Sequence, residues 1–109
     1  LRLPADDPER AERVQAALGA ASRTPLAIAE TAAELAVSGA AITRTSNPAV
    51  RGDALASVLI AESAATAAAA LVEVNLGRQP DDPQLGLARA ARARAEQARS
   101  DAIAELPRR

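Results

Sequence analysis

The sequence contains no histidine, cysteine or lysine, and these absences narrow the chemistry that the protein can perform. Without Cys and His there is no structural zinc site, no disulfide and no Cys–His nucleophile pair. Without Lys there is neither Schiff-base chemistry nor a phosphate-loop lysine. Aromatic residues are also missing, so no ring can stack on a nucleic-acid base. Catalysis, if present, must use carboxylates, amides, hydroxyls or guanidinium groups.

Alanine dominates what is present, at 31 of 109 residues. All 13 basic residues are arginine, and 14 acidic residues bring the net charge to −1, which argues against a dedicated nucleic-acid binder. Alanine buries little surface, at roughly 25 cal/mol per Å² of apolar area. We therefore expect either close helix–helix packing or surface borrowed from a partner.

Proline and glycine divide the chain into four predicted helices. The first begins at Asp7-Pro8, because Asp caps a helix and Pro fits its first position. Thr24-Pro25 either begins a second helix, which ends near Ile42, or kinks one long helix. Asp82-Pro83 begins the last helix, whose alanines recur every three or four residues at 88, 91, 95, 98 and 102. Its arginines are expected to form a solvated face.

Apolar spacing predicts which faces of the first two helices are buried. The first helix has one stripe, formed by Val14, Ala17, Leu18 and Ala21. The second has two, so we expect it to pack on both sides. One face holds Leu26, Ala29, Ala33, Val37 and Ala40, and the other holds Ile28, Ala32, Leu35 and Ile42.

A polar stretch at 44–52 contains proline and glycine and is predicted to be a loop. Asp53 then begins the third helix, in which Glu62 is the only ionisable residue from Ala54 to Val72. That length suggests a membrane span, but a charge near the centre costs about 2.5–3.5 kcal/mol. We instead expect a helix buried on all sides, within an antiparallel all-α bundle that forms one domain over 1–109.

Two places carry polar groups suited to chemistry. The predicted loop brings Asn47, Arg51 and Asp53 to the start of a buried helix, where free backbone N–H groups attract anions. Asp53 otherwise serves only as the helix cap. Glu62 is a lone carboxylate that either exchanges protons with a substrate or forms an ion pair with Arg44 or Arg51.

The order and spacing of residues in this region match a known pattern. The pattern begins N-P-N-A-x-S-D-A, continues to a Glu-Ala pair and ends N-V-x-I-N-L. This sequence follows it without a gap over 30 positions, with matches at Asn47, Pro48, Asp53, Ala54, Leu59, Glu62, Val72, Val74, Asn75 and Leu76. Upstream, 24–30 resembles a V-P-L-x-I-A-E segment and 1–4 resembles Y-R-L-P. These motifs resemble the cyclodeaminase/cyclohydrolase family of folate enzymes. The resemblance covers the C-terminal half of the family domain, without its glycine-rich first half.

The resemblance implies a dimeric helical bundle that acts on a tetrahydrofolate derivative. A cyclodeaminase expels ammonia from the formimino group and closes the methenyl ring, whereas a cyclohydrolase adds water and opens that ring. Neither reaction needs a metal or an organic cofactor. In this reading Asp53 exchanges protons, and Asn47 and Asn75 orient the substrate. Arg51, from the same polar stretch as Asn47, is a further candidate for substrate binding. Glu62 is a second acid/base group or a structural partner for an arginine.

Five departures from the family pattern support an alternative. Ala49, Gly52, Leu71 and Glu73 stand where the family has Asn, Ser, Asn and Arg, and Arg51 stands where an apolar residue is usual. The alternative is a non-catalytic helical dimerisation module descended from the family, since an alanine-rich helix suits close packing across a symmetric interface. In both readings we expect a cytoplasmic homodimer that binds neither nucleic acid nor membrane.

Overall fold

Four α-helices account for most of residues 4–107, the part of the chain that the computed structural model describes. They are α1 Pro8–Ala21, α2 Arg23–Thr45, α3 Pro48–Leu76 and α4 Pro83–Ala104. This part of the chain contains no strand, so the predicted all-α class is confirmed. Helices α2, α3 and α4 all pack on one another, whereas α1 makes only minor contacts with α2 and α3.

An Asp or Asn followed by proline begins three of the helices. The side chain of Asp7 accepts a hydrogen bond from the Glu9 N–H at 2.8 Å, and Asp82 does the same for Gln84 at 2.9 Å. In each case proline occupies the first turn, where its missing N–H leaves no bond unmade. The starts predicted for α1 and α4 are therefore confirmed.

The predicted loop at 44–52 is wrong in most of its length, because only Ser46 and Asn47 lie outside the helices. Asn47 caps α3 in place of Asp53: its side-chain oxygen accepts from the Ala49 N–H at 3.0 Å, and Pro48 follows it. Gly52 lies inside the helix, where it costs about 1 kcal/mol relative to alanine. A single unfavourable residue does not outweigh the capped start that precedes it.

A break at one residue separates α1 from α2. Ser22 has helical backbone angles, and both its N–H and its hydroxyl donate to the Leu18 carbonyl, at 3.1 and 2.8 Å. Thr24 is not the cap that was predicted, since α2 begins at Arg23. Pro25 lacks the N–H that would continue the helix ladder. The alternative prediction, a kink in one long helix, describes this junction better.

No residue of α1 is fully buried, and Leu18 alone of the predicted apolar stripe is partly covered. Val14, for example, is 44% exposed. The described chain measures 61 × 22 × 20 Å, and this elongated shape leaves little of the bundle beside α1.

Alanine forms most of the core. The five predicted alanines of α4 are all buried, which confirms that stripe. Gly39 of α2 lies against Val58 of α3, and a Cβ at this glycine would be only 2.7 Å from the Val58 Cγ2. The core thus depends on close backbone approach, as expected for a chain with so few large apolar residues.

The predictions that α2 packs on both sides and that α3 is buried all round are both wrong for the described chain. Large apolar side chains are exposed along one side of the α2–α3 pair: Ile28, Leu35 and Ile42 on α2, and Ile60, Leu71 and Val74 on α3. Val37 is also 48% exposed. We call Ile28, Leu35, Ile42, Ile60, Leu71 and Val74, without Val37, the α2–α3 face. Two neighbouring helices cannot surround a third, so one side of each remains open.

Two helical stretches, Pro8–Thr45 and Pro48–Leu76, are long and apolar enough to cross a membrane by length and composition alone. The most apolar 18-residue segment is 44% buried inside the protein in the first stretch and 33% buried in the second. Core helices of soluble bundles share these properties, so they do not assign either stretch to a membrane.

An ion-pair cluster joins α3 to α4. The Glu73 carboxylate lies 2.9 Å from the Arg92 Nη1 and 3.6 Å from the Arg89 Nε. Arg92 also lies 3.8 Å from Glu96 on its own helix. Two arginines of α4 therefore face α3, which corrects the prediction that they form only a solvated face.

Candidate functional site

Every predicted site residue lies on α3 or at its cap, and the length of this helix determines how far apart they are. At about 1.5 Å per residue, Asp53 is about 14 Å from Glu62 and about 33 Å from Asn75 along the helix axis. A group that transfers protons must come within about 3 Å of the reacting atom. One chain therefore places only Asn47, Arg51 and Asp53 at the same end of α3.

Asn47 has a structural task that limits its chemistry. Its side-chain oxygen is occupied by the Ala49 N–H, so the amide NH₂ is the part left to bind a ligand. The Asn47 backbone carbonyl also accepts from the Val50 N–H at 3.0 Å. The residue can thus donate hydrogen bonds from a fixed position at the start of α3.

Arg51 is half-buried in the first turns of α3, and its Nε is buried without a hydrogen-bond partner in the described chain. Buried donors are nearly always satisfied, but an Nε that is shielded from solvent is equally shielded from a ligand. The binding role predicted for Arg51 therefore depends on the rest of its guanidinium group and remains a prediction.

Asp53 is exposed, two residues beyond Arg51. Successive residues of a helix turn by about 100°, so these two side chains leave α3 on nearly opposite sides. The Asp53 carboxylate forms no ion pair with any residue from 4 to 107. Its backbone carbonyl accepts from the Ser57 hydroxyl at 3.0 Å. The carboxylate is thus available to solvent and to a ligand.

Glu62 is half-buried near the middle of α3 and accepts a hydrogen bond from the Thr66 hydroxyl at 3.2 Å. The ion pair proposed for it with Arg44 or Arg51 does not occur in the described chain. Arg51 is 11 residues away on the same helix, about 16 Å along the axis, so the pair cannot form.

Asn75 lines a cavity of about 410 Å³ between α1 and the end of α3. Arg10 and Arg78 also line it, and neither forms an ion pair in the described chain. Gln79 holds α1 in place, since its Nε2 donates to the Gln15 carbonyl at 3.2 Å. Sequence reasoning missed both arginines, because nothing in their spacing indicates that α1 reaches Asn75.

A second cavity, about 500 Å³ in volume, follows the α2–α3 face and is lined mainly by apolar side chains. Leu35 and Ile42 line it from α2, and Ile60 lines it from α3. Ser57, one turn beyond Asp53, contributes a hydroxyl at one end. The described residues contain no group of three carboxylates that could hold a metal ion.

The match to known proteins is at the level of a family. Residues 1–104 match the family model described as formiminotransferase-cyclodeaminase. No curated protein and no solved structure gives a significant match.

Proposed function

This chain belongs to the formiminotransferase-cyclodeaminase family, and we propose that it acts on a one-carbon derivative of tetrahydrofolate as a cytoplasmic homodimer. The observation that carries the proposal is the family match over 1–104, which contains the whole of α3 and its candidate residues. The reaction is either the cyclodeaminase or the cyclohydrolase reaction.

Both reactions turn on proton transfer at one carbon atom. In the cyclodeaminase reaction the secondary amine nitrogen next to the pterin ring attacks the carbon of the protonated formimino group and loses its proton, and the departing nitrogen takes up that proton and leaves as ammonia. In the cyclohydrolase reaction water adds to the methenyl carbon and gives up both protons, one to the nitrogen that is released when a ring carbon–nitrogen bond breaks and one to a base. A carboxylate can supply or accept these protons, and neither reaction changes an oxidation state. We assign this task to Asp53, because its carboxylate is exposed and unpaired in the described chain.

Hydrogen-bond donors at the same end of α3 as Asp53 would hold the substrate. The Asn47 amide NH₂ is without a partner in the described chain, the Arg51 guanidinium carries further donors, and folates carry carbonyl and carboxylate acceptors. Glu62 is assigned a supporting role, since its carboxylate is already bonded to Thr66 and lies about 14 Å from Asp53.

The test is an absorbance assay of the methenyltetrahydrofolate chromophore with the full-length protein. Loss of the signal above its spontaneous rate would establish a cyclohydrolase, and its appearance from the formimino substrate would establish a cyclodeaminase. We expect Asp53→Asn to lower the rate at least about 100-fold, the usual contribution of a general acid or base. Asp81→Asn, at an exposed Asp between α3 and α4, is the matched control. An unchanged rate in Asp53→Asn would show that this residue transfers no proton.

A second candidate function is a non-catalytic dimerisation module, and the α2–α3 face is the observation that favours it. Three large apolar side chains on each of two adjacent helices are exposed in the single chain. Such a surface is typical of an interface between proteins. A flat trace with both substrates, from a protein that is folded and dimeric, would select this function over the folate reactions.

A further inference from the structure

A third cavity lies between α2 and α4, and no residue of α3 or of the α2–α3 face lines it. Its volume is about 280 Å³. Pockets for drug-sized ligands measure about 300–1,000 Å³, so this cavity suits a smaller molecule. Ala40 and Ala98 form its floor, since both line it and both are almost completely buried. Val37 adds an exposed apolar side chain to the wall.

Three charged side chains surround this apolar floor. Arg44 comes from the last turn of α2, and Arg94 and Asp101 come from α4. None of the three forms an ion pair with any residue from 4 to 107. Elsewhere in this part of the chain, opposite charges pair at 2.8 and 2.9 Å. The cavity thus holds charges of both signs that lack a partner of the opposite sign among the described residues.

The carboxylate of Asp101 is held in a fixed orientation. Asp101 is half-buried, and its Oδ1 accepts a hydrogen bond from the Gln97 Nε2 at 2.9 Å. An ionised carboxylate has two oxygens with about four acceptor positions in total. The bond to Gln97 therefore leaves Asp101 able to accept from a further donor in the cavity.

The spacing of the charges on α4 suits a ligand with one negative and one positive end. Arg94 and Asp101 are seven residues apart, so their side chains leave the helix within about 20° of each other and about 10 Å apart along its axis. A hydrogen bond of about 2.8 Å at each end leaves about 5 Å for the ligand. A molecule that carries a carboxylate and an ammonium group close together fits this gap.

We propose that this cavity binds a free α-amino acid with an aliphatic side chain. The carboxylate of the ligand binds to Arg94 and Arg44, because a guanidinium group can hold a carboxylate through two parallel hydrogen bonds. Its ammonium group donates to Asp101, and its alkyl side chain covers Val37 and the alanine floor. A ligand with only one of the two charges would leave either Asp101 or the arginines without a partner.

A titration series of three compounds with the same alkyl group tests the class of ligand. Leucine has both charges, 4-methylpentanoate lacks the ammonium group and 3-methylbutylamine lacks the carboxylate. We expect leucine to bind the full-length protein saturably and each analogue to bind at least about 10-fold more weakly, through loss of a charge-assisted hydrogen bond. Equal binding of leucine and 4-methylpentanoate would indicate a simple anion site and would overturn the assignment. Absence of saturable binding for both leucine and valine would overturn it as well.

Methyl NMR of the labelled valines of the protein locates the bound ligand during the same titration. The Val37 methyl signals should shift with added leucine, because Val37 lines the cavity. Val14 and Val50 are also about half-exposed but lie outside this cavity, so their signals should stay in place. A shift at Val14 or Val50 without one at Val37 would place the ligand elsewhere and contradict the proposal.

Two substitutions test the assigned contacts. Arg94→Gln should weaken leucine binding about 10-fold, and Asp101→Asn should do the same while keeping an oxygen that accepts from Gln97. Asp101→Asn should also remove the difference in affinity between leucine and 4-methylpentanoate, an effect that a loss of folding would not produce. Arg99→Gln, at an exposed position of α4 outside the cavity, is the matched control and should bind leucine as the native protein does.

A preference for leucine over 4-methylpentanoate that persists in Asp101→Asn would show that Asp101 does not bind the ammonium group. Equal weakening by Arg99→Gln and Arg94→Gln would mean that only the general positive charge of α4 attracts the ligand, and this result would also overturn the proposal. None of these measurements uses a folate substrate, so their outcome is independent of the proposed folate reaction.

Discussion

Gly39→Ala tests the close approach of α2 and α3, on which an alanine core depends. The added Cβ would lie 2.7 Å from the Val58 Cγ2, whereas non-bonded carbon atoms prefer about 3.5–4.0 Å. Val58 is fully buried, and a β-branched side chain in a helix has one strongly preferred rotamer, so it cannot turn away. The backbone of one helix must move instead.

Two effects set the size of the change. Alanine is better than glycine inside a helix by about 0.8–1.0 kcal/mol. Overpacking a well-packed core costs about 1–3 kcal/mol. We therefore expect Gly39→Ala to lower the free energy of unfolding by about 1 kcal/mol. Gly52→Ala is the control: this glycine is exposed in α3 with no atom near its missing Cβ, so the substitution should stabilise by about 0.5–1 kcal/mol.

The assay is urea unfolding followed by far-UV circular dichroism, because the protein has no aromatic residue to provide fluorescence. Protein concentration is held fixed, since dimerisation would make the midpoint depend on it. In a Val58→Ala background the clash is gone, and Gly39→Ala should then become stabilising. If Gly39→Ala stabilises the native sequence as much as Gly52→Ala does, α2 and α3 do not approach as closely as the structure shows.

Substitutions at three further residues, with Glu96→Gln as a control, separate structural from functional roles. Glu73→Gln should destabilise the protein by about 0.5–1 kcal/mol in urea unfolding, because it removes the half-exposed ion pair with Arg92 of α4. Glu96→Gln should change stability by no more than about 0.3 kcal/mol, because the contact of Glu96 with Arg92 is longer and more exposed. Asn47→Ala should cost about 1 kcal/mol through loss of the α3 cap. Asn47→Asp keeps the cap but has no NH₂ group, so native stability with impaired substrate binding would support the binding role, and unchanged binding would contradict it. Glu62→Gln should keep most of the activity in the absorbance assay, and a loss as large as that of Asp53→Asn would show that Glu62 takes part in proton transfer.

Local signals were enough to predict the helical class, two of the helix starts and the buried face of α4. An Asp-Pro pair acts within one turn, and the alanine spacing of α4 selects a single face, so neither depends on the rest of the fold. The family resemblance was also readable from motif order alone, and the match over 1–104 confirms it. The cap of α3 was misassigned because Asn47 and Asp53 are both good caps, and only the folded chain shows which one is used.

The candidate site, like the fold, could be predicted from the sequence only in part. The residue types that suit folate chemistry are visible in the sequence of α3, but their positions relative to one another follow from a single straight helix that holds Asp53 and Asn75 about 33 Å apart. Arg10 could not be connected with Asn75 from the sequence, since the two are 65 residues apart and meet only because α1 continues past the kink at Ser22.

What the sequence by itself determined is the helical class, the starts of α1 and α4 and which chemistry is possible, because each depends on the residue types present or on the residues within one or two turns. Which faces of α2 and α3 are covered was decided only by the tertiary structure. These helices carry more apolar residues than two neighbouring helices can cover, so their sequences do not show which of those residues remain exposed. Packing against just two neighbours made that selection, and it left Leu35, Ile42 and Ile60 exposed.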